Sequence, residues 1–344
     1  MSTVPVDAFD APILRRIHRI TLPTPFPVGP VHTYLLEGDP LTLIDTGPHT
    51  PDAAEALSVG LRQFGVGVED LQRIVITHAH ADHYGLVESL VEASGAEVWA
   101  HPLAQPAIED WPAYRAQRLG FWLKLLLAAG VPEAQAEATA TVYKDLKRFQ
   151  SSAPIAHFLH DQASIEMAGE SWQVLFCPGH AGNLVCFYYP RDRVLIGNDH
   201  LLAHISSNAL IEPPNGNEES RRKPLIDYWA ALCRVYEMDI ALVLPGHGSA
   251  ISDPRGLIAS RFGFYEHRLG RLRAELQLGP RTVWQMVSAL FRKLDLADTF
   301  LAVSEVIGHL DVLEQRGEAT IAADSAGLWP VSYTHLTLPT NREV

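Results

Sequence analysis

Cysteine is scarce in this 344-residue chain, with only Cys177, Cys186 and Cys233, and these show no metal-binding or redox spacing. That excludes a disulfide framework and fits a reducing compartment. All three read as thiols of the core. Basic residues are also few: 27 Lys and Arg stand against 40 Asp and Glu, a net charge of −13. Such a balance lacks the cationic footprint that a phosphate backbone requires, which argues against nucleic acid as a partner. Long apolar runs are missing as well. The longest markedly apolar stretch, Leu123 to Ala129, is far short of the roughly 20 residues that span a bilayer. Met1 to Asp10 has no basic-then-apolar secretory pattern, so a cytoplasmic protein without a membrane partner is expected. No serine-centred nucleophile elbow occurs. With 47% hydrophobic residues, the chain can bury one large core and has room for a second, smaller domain.

What stands out instead is Thr77-His78-Ala79-His80-Ala81-Asp82-His83-Tyr84-Gly85. It follows the apolar run Arg73-Ile74-Val75-Ile76 and precedes an amphipathic segment from Leu86 to Ser94. The spacing predicts a buried strand, then the motif, then a helix. Side chains two apart in an extended chain point the same way, so His78 and His80 present two imidazoles to one point. Asp82 and His83 fall where the chain turns into the helix and aim at a second point nearby. Three histidines and one carboxylate within six residues form a nitrogen and oxygen set suited to zinc, with iron or manganese as alternatives. The competing reading makes Asp82 a helix N-cap in a histidine-rich loop.

The same arrangement recurs at other predicted strand ends: Cys177-Pro178-Gly179-His180, Gly197-Asn198-Asp199-His200 and Leu244-Pro245-Gly246-His247-Gly248. Together these residues resemble the metallo-β-lactamase fold hydrolases. His78, His80, Asp82 and His83 match the HxHxDH motif, His180 and Asp199 the next two motifs, and His247 the last. The resemblance runs from about Ile13 to Asp253. It implies an α/β fold, a four-layer αββα sandwich, and a site for two divalent metal ions, zinc by expectation. His78, His80 and His180 would hold one ion, Asp82, His83 and His247 the other, and Asp199 would bridge them. Asp45 of Asp45-Thr46-Gly47 would support the HxHxDH loop from behind, with ordinary turn chemistry as the alternative. His200 and His204 stay outside the ligand set, with His204-Ile205-Ser206 placed to line a pocket.

In chain order, Ile13–Leu22, Val31–Glu37 and Leu41–Ile44 read as strands and Asp52–Phe64 as a helix started by Pro51. Strand and helix then alternate to Glu97–Ala100, the signature of a layered α/β domain. Between about 110 and 150 the pattern changes to two helices, Ala113–Ala129 and Glu133–Phe149. Phe121, Trp122, Leu125 and Leu126 recur there at near-helical spacing, for packing or for lining an apolar pocket. Strands resume at Ser164–Met167, Trp172–Phe176, Leu184–Tyr189 and Val194–Gly197, and Ile240–Leu244 delivers His247 after a helix at Leu225–Tyr236. Arg221-Arg222-Lys223 starts that helix or meets an anionic group.

The catalytic domain is expected over 1–253 and a small helical, winged-helix-like domain over 254–329. Its helices are Arg255–Leu278, Thr282–Phe291 and Phe300–Gln315. The last carries Glu305, Asp311 and Glu314 but no Lys or Arg, which suits packing or homodimer formation rather than phosphate contact. Residues 330–344 resemble a translated sequencing adapter and are expected to be a non-native tail, so His335 is not a ligand candidate. The resemblance implies a hydrolase using a metal-bound hydroxide, with Asp82 and Asp199 nearest the chemistry. The acidic chain and apolar insertion favour a small-molecule acyl substrate, a thioester or related ester. A nuclease or phosphodiesterase of the same fold is the alternative, and an iron-dependent sulfur dioxygenase a third. A binding protein without catalysis would be expected to lack ligands, and none is missing.

Overall fold

The computed structural model describes residues 9, 11–214, 221–322 and 330–333. Their order is set by two sheets in which each strand end leads into a loop. The chain divides into two compact units: one from the described residues within Met1–Gln117, Asp145–Ser207 and Asp227–Ala259, the other within Arg118–Lys144, Asn208–Ile226 and Ser260–Val344.

In the first unit, β1 (Ile17–Leu22), β2 (Val31–Leu36), β3 (Thr42–Ile44), β4 (Arg73–Ile76), β5 (Glu97–Ala100) and β6 (Ile155–Phe158) form one sheet in that order. The first three are antiparallel neighbours, and the pairs from β3 onward are parallel. Parallel neighbours need crossovers, and here they are α1 (Pro51–Gln63), then α2 (Ala81–Tyr84) with α3 (Val87–Ser94), then α4 (Gln105–Glu109) with the start of α5 (Trp111–Ala128). Helix α1 begins where expected: Thr50 Oγ1 accepts from Ala53 N at 3.2 Å, and Pro51 needs no hydrogen bond at the first position.

The second sheet takes β7 (Ser164–Met167), β8 (Glu170–Phe176), β9 (Val185–Tyr189), β10 (Val194–Asn198) and β11 (Leu242–Pro245) in reverse order. Period-two alternation decides what fills each layer. Tyr34, Leu36, Ile44 and Val75 of the first sheet share a core with Trp172, Val174, Phe187, Ile196 and Leu244 of the second. The opposite face of the first sheet, Leu35, Leu43, Ile74 and Ile76, packs on Leu57 and Leu61 of α1 and on Val87 and Leu90 of α3. After α6 (Glu133–Asp145), the next helix is α7 (Pro224–Glu237), the crossover for the parallel pair β10 and β11. It lies over the outer face of the second sheet. There the Tyr188 hydroxyl donates to Asp239 O at 2.7 Å and Arg234 meets Asp161 at 2.8 Å.

The second unit contains most of α5, α6 and α8 (Pro254–Gln277), with α9 (Val283–Leu290) and α10 (Leu296–Gln315). A small sheet has the order β12 (Arg281–Thr282), β14 (Pro330–Tyr333), β13 (Ala319–Ile321). Thr282 and Gln285 close a reciprocal capping box on α9. Trp122, Tyr143 and Phe300 pack ring against ring, with centroids 4.7 to 5.4 Å apart. All three acids singled out on α10 are paired. Glu305 meets Arg268 at 2.9 Å, Asp311 takes Arg221 through both oxygens at 2.6 and 2.7 Å, and Glu314 meets Lys223 at 2.8 Å.

Several expectations need correction. The segment Ile13–Leu22 is not one strand, because Pro12–Arg16 winds as a short 3-10 turn before β1. β6 was not legible, being half exposed with no alternation. Residues 330–333, expected to stand outside the fold, form the central strand of the small sheet, where Val331 pairs with both Arg281 and Ile321. The rest of that tail lies outside the described residues. Cys177 and Cys186 are buried, but Cys233 lies exposed on α7. No helix among the described residues is long and apolar enough to cross a membrane.

A Cβ on Gly85 would run into His49 N and Phe149 O, both backbone atoms that cannot swing aside. Gly263, in the exposed middle of α8, has nothing within 4 Å. Thermal denaturation is therefore expected to show Gly85→Ala destabilising by about 2–3 kcal/mol and Gly263→Ala stabilising by about 0.5–1 kcal/mol.

Candidate metal centre

Parallel pairing of β3 with β4 places Asp45 beside Thr77, each just past its strand end. Asp45 holds an unusual left-handed backbone, with φ 58°. Its fully buried carboxylate accepts three hydrogen bonds: Oδ1 from Thr77 N at 2.8 Å, and Oδ2 from Thr77 Oγ1 and from His83 Nδ1, both at 2.7 Å. Since the Thr77 hydroxyl donates to Asp45, it can only accept from His78 Nδ1, 3.1 Å away. Asp45 therefore fixes the orientation of two histidines and, in the neutral ring, the tautomer that directs Nε2 of each into the site.

From that base the ligand atoms converge on two adjacent points. His78 Nε2 lies 3.1 Å from His80 Nδ1, and His180 joins them, with ligand atoms all within 4.8 Å of one another. Asp82, His83 and His247 form a second such group. Asp199 Oδ2 sits between the groups, 3.5 Å from His180 Nε2, 3.6 Å from His83 Nε2 and 3.5 Å from His247 Nε2. Asp82 Oδ2 is 3.3 Å from His247 Nε2. A third grouping, Asp45 with His78 and His83, is internally satisfied by the hydrogen bonds above. All seven residues expected as ligands are thus brought together.

Electrostatics suit cations at these points. Burial opposes charge on Asp199, yet the imidazoles of His83 and His247 hold its carboxyl well below the usual range. Burial likewise opposes charge on His83, and Asp199, Asp82 and Asp45 overcome it and raise its pKa. His78 has no such balance: burial, then His83 and His80, push it well down. His83 Nε2, His247 Nε2 and Asp199 Oδ1 are buried without a hydrogen-bond partner, each a cost of about 1–3 kcal/mol that a ligand would offset. Convergent bare nitrogens and carboxylate oxygens, with no sulfur among them, fit borderline divalent ions such as zinc, iron or manganese.

Glycine makes the approach possible. A Cβ on Gly246 would strike Asp199 Oδ1 and lie 2.9 Å from Asn198 Oδ1 and 3.0 Å from His83 Cε1. Other candidates have other roles. His200 is fully buried against the Tyr228 ring, and burial pushes its pKa down to about 3. His204 is exposed, near Gly248. Two contributors went unread in the sequence: Thr77, and Asn183, whose Oδ1 accepts from Ala79 N at 3.1 Å and pins the motif to the second sheet. A threonine before the first histidine is a signal; a lone asparagine in a glycine loop is none.

Residues 26–247 match the metallo-beta-lactamase superfamily. The chain belongs to that superfamily. Residues 269–332 match its metallo-beta-lactamase-like C-terminal domain. This superfamily member is 37% identical over 301 residues to a probable metallo-hydrolase, YqjP, of Bacillus subtilis, covering 88% of this chain and 93% of that one. Among solved structures it resembles the metallo-beta-lactamase family protein TTHA1429 of Thermus thermophilus, with TM-score 0.78 and 27% identity over 93% of this chain and 99% of the other. More distant is an atrochrysone carboxyl ACP thioesterase of a Cryptosporiopsis species, 21% identical over 240 residues, 70% of this chain and 55% of that protein. The chain is a metal-dependent hydrolase, with His and Asp groups able to hold metal ions.

Asp45→Asn replaces one acceptor oxygen with a donor facing Thr77 or His83. It is expected to weaken metal binding about 10- to 100-fold, measured by competition with a chromophoric chelator.

Proposed function

We propose that the protein hydrolyses a thioester or related small acyl ester with two zinc ions. His78, His80 and His180 hold one ion and Asp82, His83 and His247 the other. The observation that carries this reading is Asp199 Oδ2, nearly equidistant from imidazoles of both groups. Ions held there supply Lewis acidity toward a substrate oxygen and lower the pKa of water to about 7. Asp82 accepts a hydrogen bond from the attacking water and fixes its direction. Burial of Asp199, His78, His83 and His247 keeps bulk solvent from screening them. No covalent enzyme intermediate is needed. The nearby hydroxyls are committed, Thr77 to Asp45 and Ser207 to Asp199 O.

The acyl substrate is supported by the −13 charge. In the basic cluster that the sequence offers for an anionic group, Arg221 and Lys223 are paired with Asp311 and Glu314. The thioesterase named among the distant relatives points the same way. The order helix, strand, helix, helix, strand, strand from α8 to β14 supports a winged-helix-like C-terminal domain. The pairing of Glu305, Asp311 and Glu314 on α10 suits packing rather than nucleic-acid contact.

Elemental analysis of protein purified without added metal, with rates on a generic thioester and a generic phosphodiester, tests this. Two zinc ions per chain and thioester cleavage are expected. Phosphodiester cleavage alone would overturn the substrate class, and one iron with neither activity would point to oxygen-dependent sulfur chemistry. His80→Ala and Asp199→Ala are expected to lose turnover to background while far-UV circular dichroism is unchanged; wild-type rates in either would sink the two-ion mechanism.

A further inference from the structure

His247 rides on the loop between Val243 and Ile251, which are joined by two backbone hydrogen bonds of 2.9 and 3.0 Å. Glycines flank it on both sides, Gly248 in the left-handed region at φ 77°. Its strand, β11, pairs with β10 and meets Ile251 in a bridge at Val243. Neither pairing reaches His247 itself, and the first sheet sets the direction of its Nε2.

β2 passes alongside the loop and grips it at four points. Tyr34 donates its hydroxyl to Pro245 O at 2.6 Å. His32 N donates to Gly246 O at 2.7 Å. His32 Nε2 donates to Gly248 O at 2.8 Å. In return His247 Nδ1 donates to Pro30 O, just ahead of β2, at 2.8 Å. A carbonyl can only accept, so His32 carries its proton on Nε2, and its Nδ1 accepts from Thr21 Oγ1 at 3.0 Å on β1. Every polar atom of the His32 ring is thus spent on holding Gly248 to the first sheet. Histidine within a strand whose six residues are all buried has no apolar reason to be there.

We propose that His32, assisted by Tyr34, is a positioning residue that aims His247 and sets the affinity of the Asp82, His83 and His247 place for its ion, leaving the His78, His80 and His180 place unaffected. The asymmetry follows from wiring. The three histidines of the other place are held by Thr77, the HxHxDH turn and the loop after β8, none of which touches His32 in the hydrogen bonds above. The proposal rests on the two-ion reading of the site.

Calorimetric titration of metal-free protein with zinc, for wild type, His32→Ala, His32→Gln, Tyr34→Phe, His247→Ala and the His32→Ala/His247→Ala double variant, separates the two. Wild type is expected to bind two ions; fewer would overturn the two-ion reading itself. His32→Ala is expected to weaken one ion about 10- to 100-fold and leave the other unchanged. His32→Gln, whose amide nitrogen can reach Gly248 O, should recover most of that loss. Tyr34→Phe, which removes one hydroxyl and no volume, should weaken the same ion by a smaller factor and provides the test if His32→Ala fails to fold. Adding His32→Ala to His247→Ala should cost nothing more, because the residue acts only through His247. Equal weakening of both ions, no weakening of either, or fully additive losses in the double variant would overturn the assignment.

Discussion

One buried carboxylate underlies the site. Charge in a protein interior is tolerated only when it is paired and hydrogen-bonded, and Asp45 meets that condition with three donors from the very residues that must be oriented. Two of its bonds fix Thr77 and, through it, His78; the third fixes His83. A single side chain thereby connects both ligand groups, and it is supplied by a strand that contributes no ligand. Its left-handed backbone is a local strain that such a network can hold in place. Removing the carboxylate would leave three buried donors unmatched at once, so its replacement is felt throughout the loop.

The two units handle charge differently. In the metal centre, histidine nitrogens and carboxylate oxygens converge in two groups, an arrangement that a cation would stabilise. In the second unit Glu305, Asp311 and Glu314 of α10 each meet a basic side chain. Both contain buried carboxylates, and geometry separates those that converge with histidines from those already paired with a base.

The site was legible because its residues are chemically conspicuous. Histidines two apart at a strand end, and again beside glycines, carry a pattern that few structural roles require. Strands with β-branched alternation were equally readable. What escaped was backbone-mediated or partner-dependent: the turn at Pro12–Arg16 ahead of β1, the half-exposed β6, and the short β12 and β14, whose two to four residues become a sheet only once they pair. Asn183 and His32 also escaped. Each acts on a loop far along the chain, and nothing in local spacing names the acceptor it will find.

Asp199 needs neighbours that arrive at very different times. His83 and His247 are separated by 164 positions (247 − 83), and the sheet that brings them together closes only when β11 lies beside β10. The HxHxDH turn precedes its partner His247 by most of the length of the two sheets, so the centre is complete only when both sheets are in place. Cation binding then rewards the docking of the sheets rather than any local turn. Ions bound there would act as a check on assembly, since their ligands meet only when both sheets are in place.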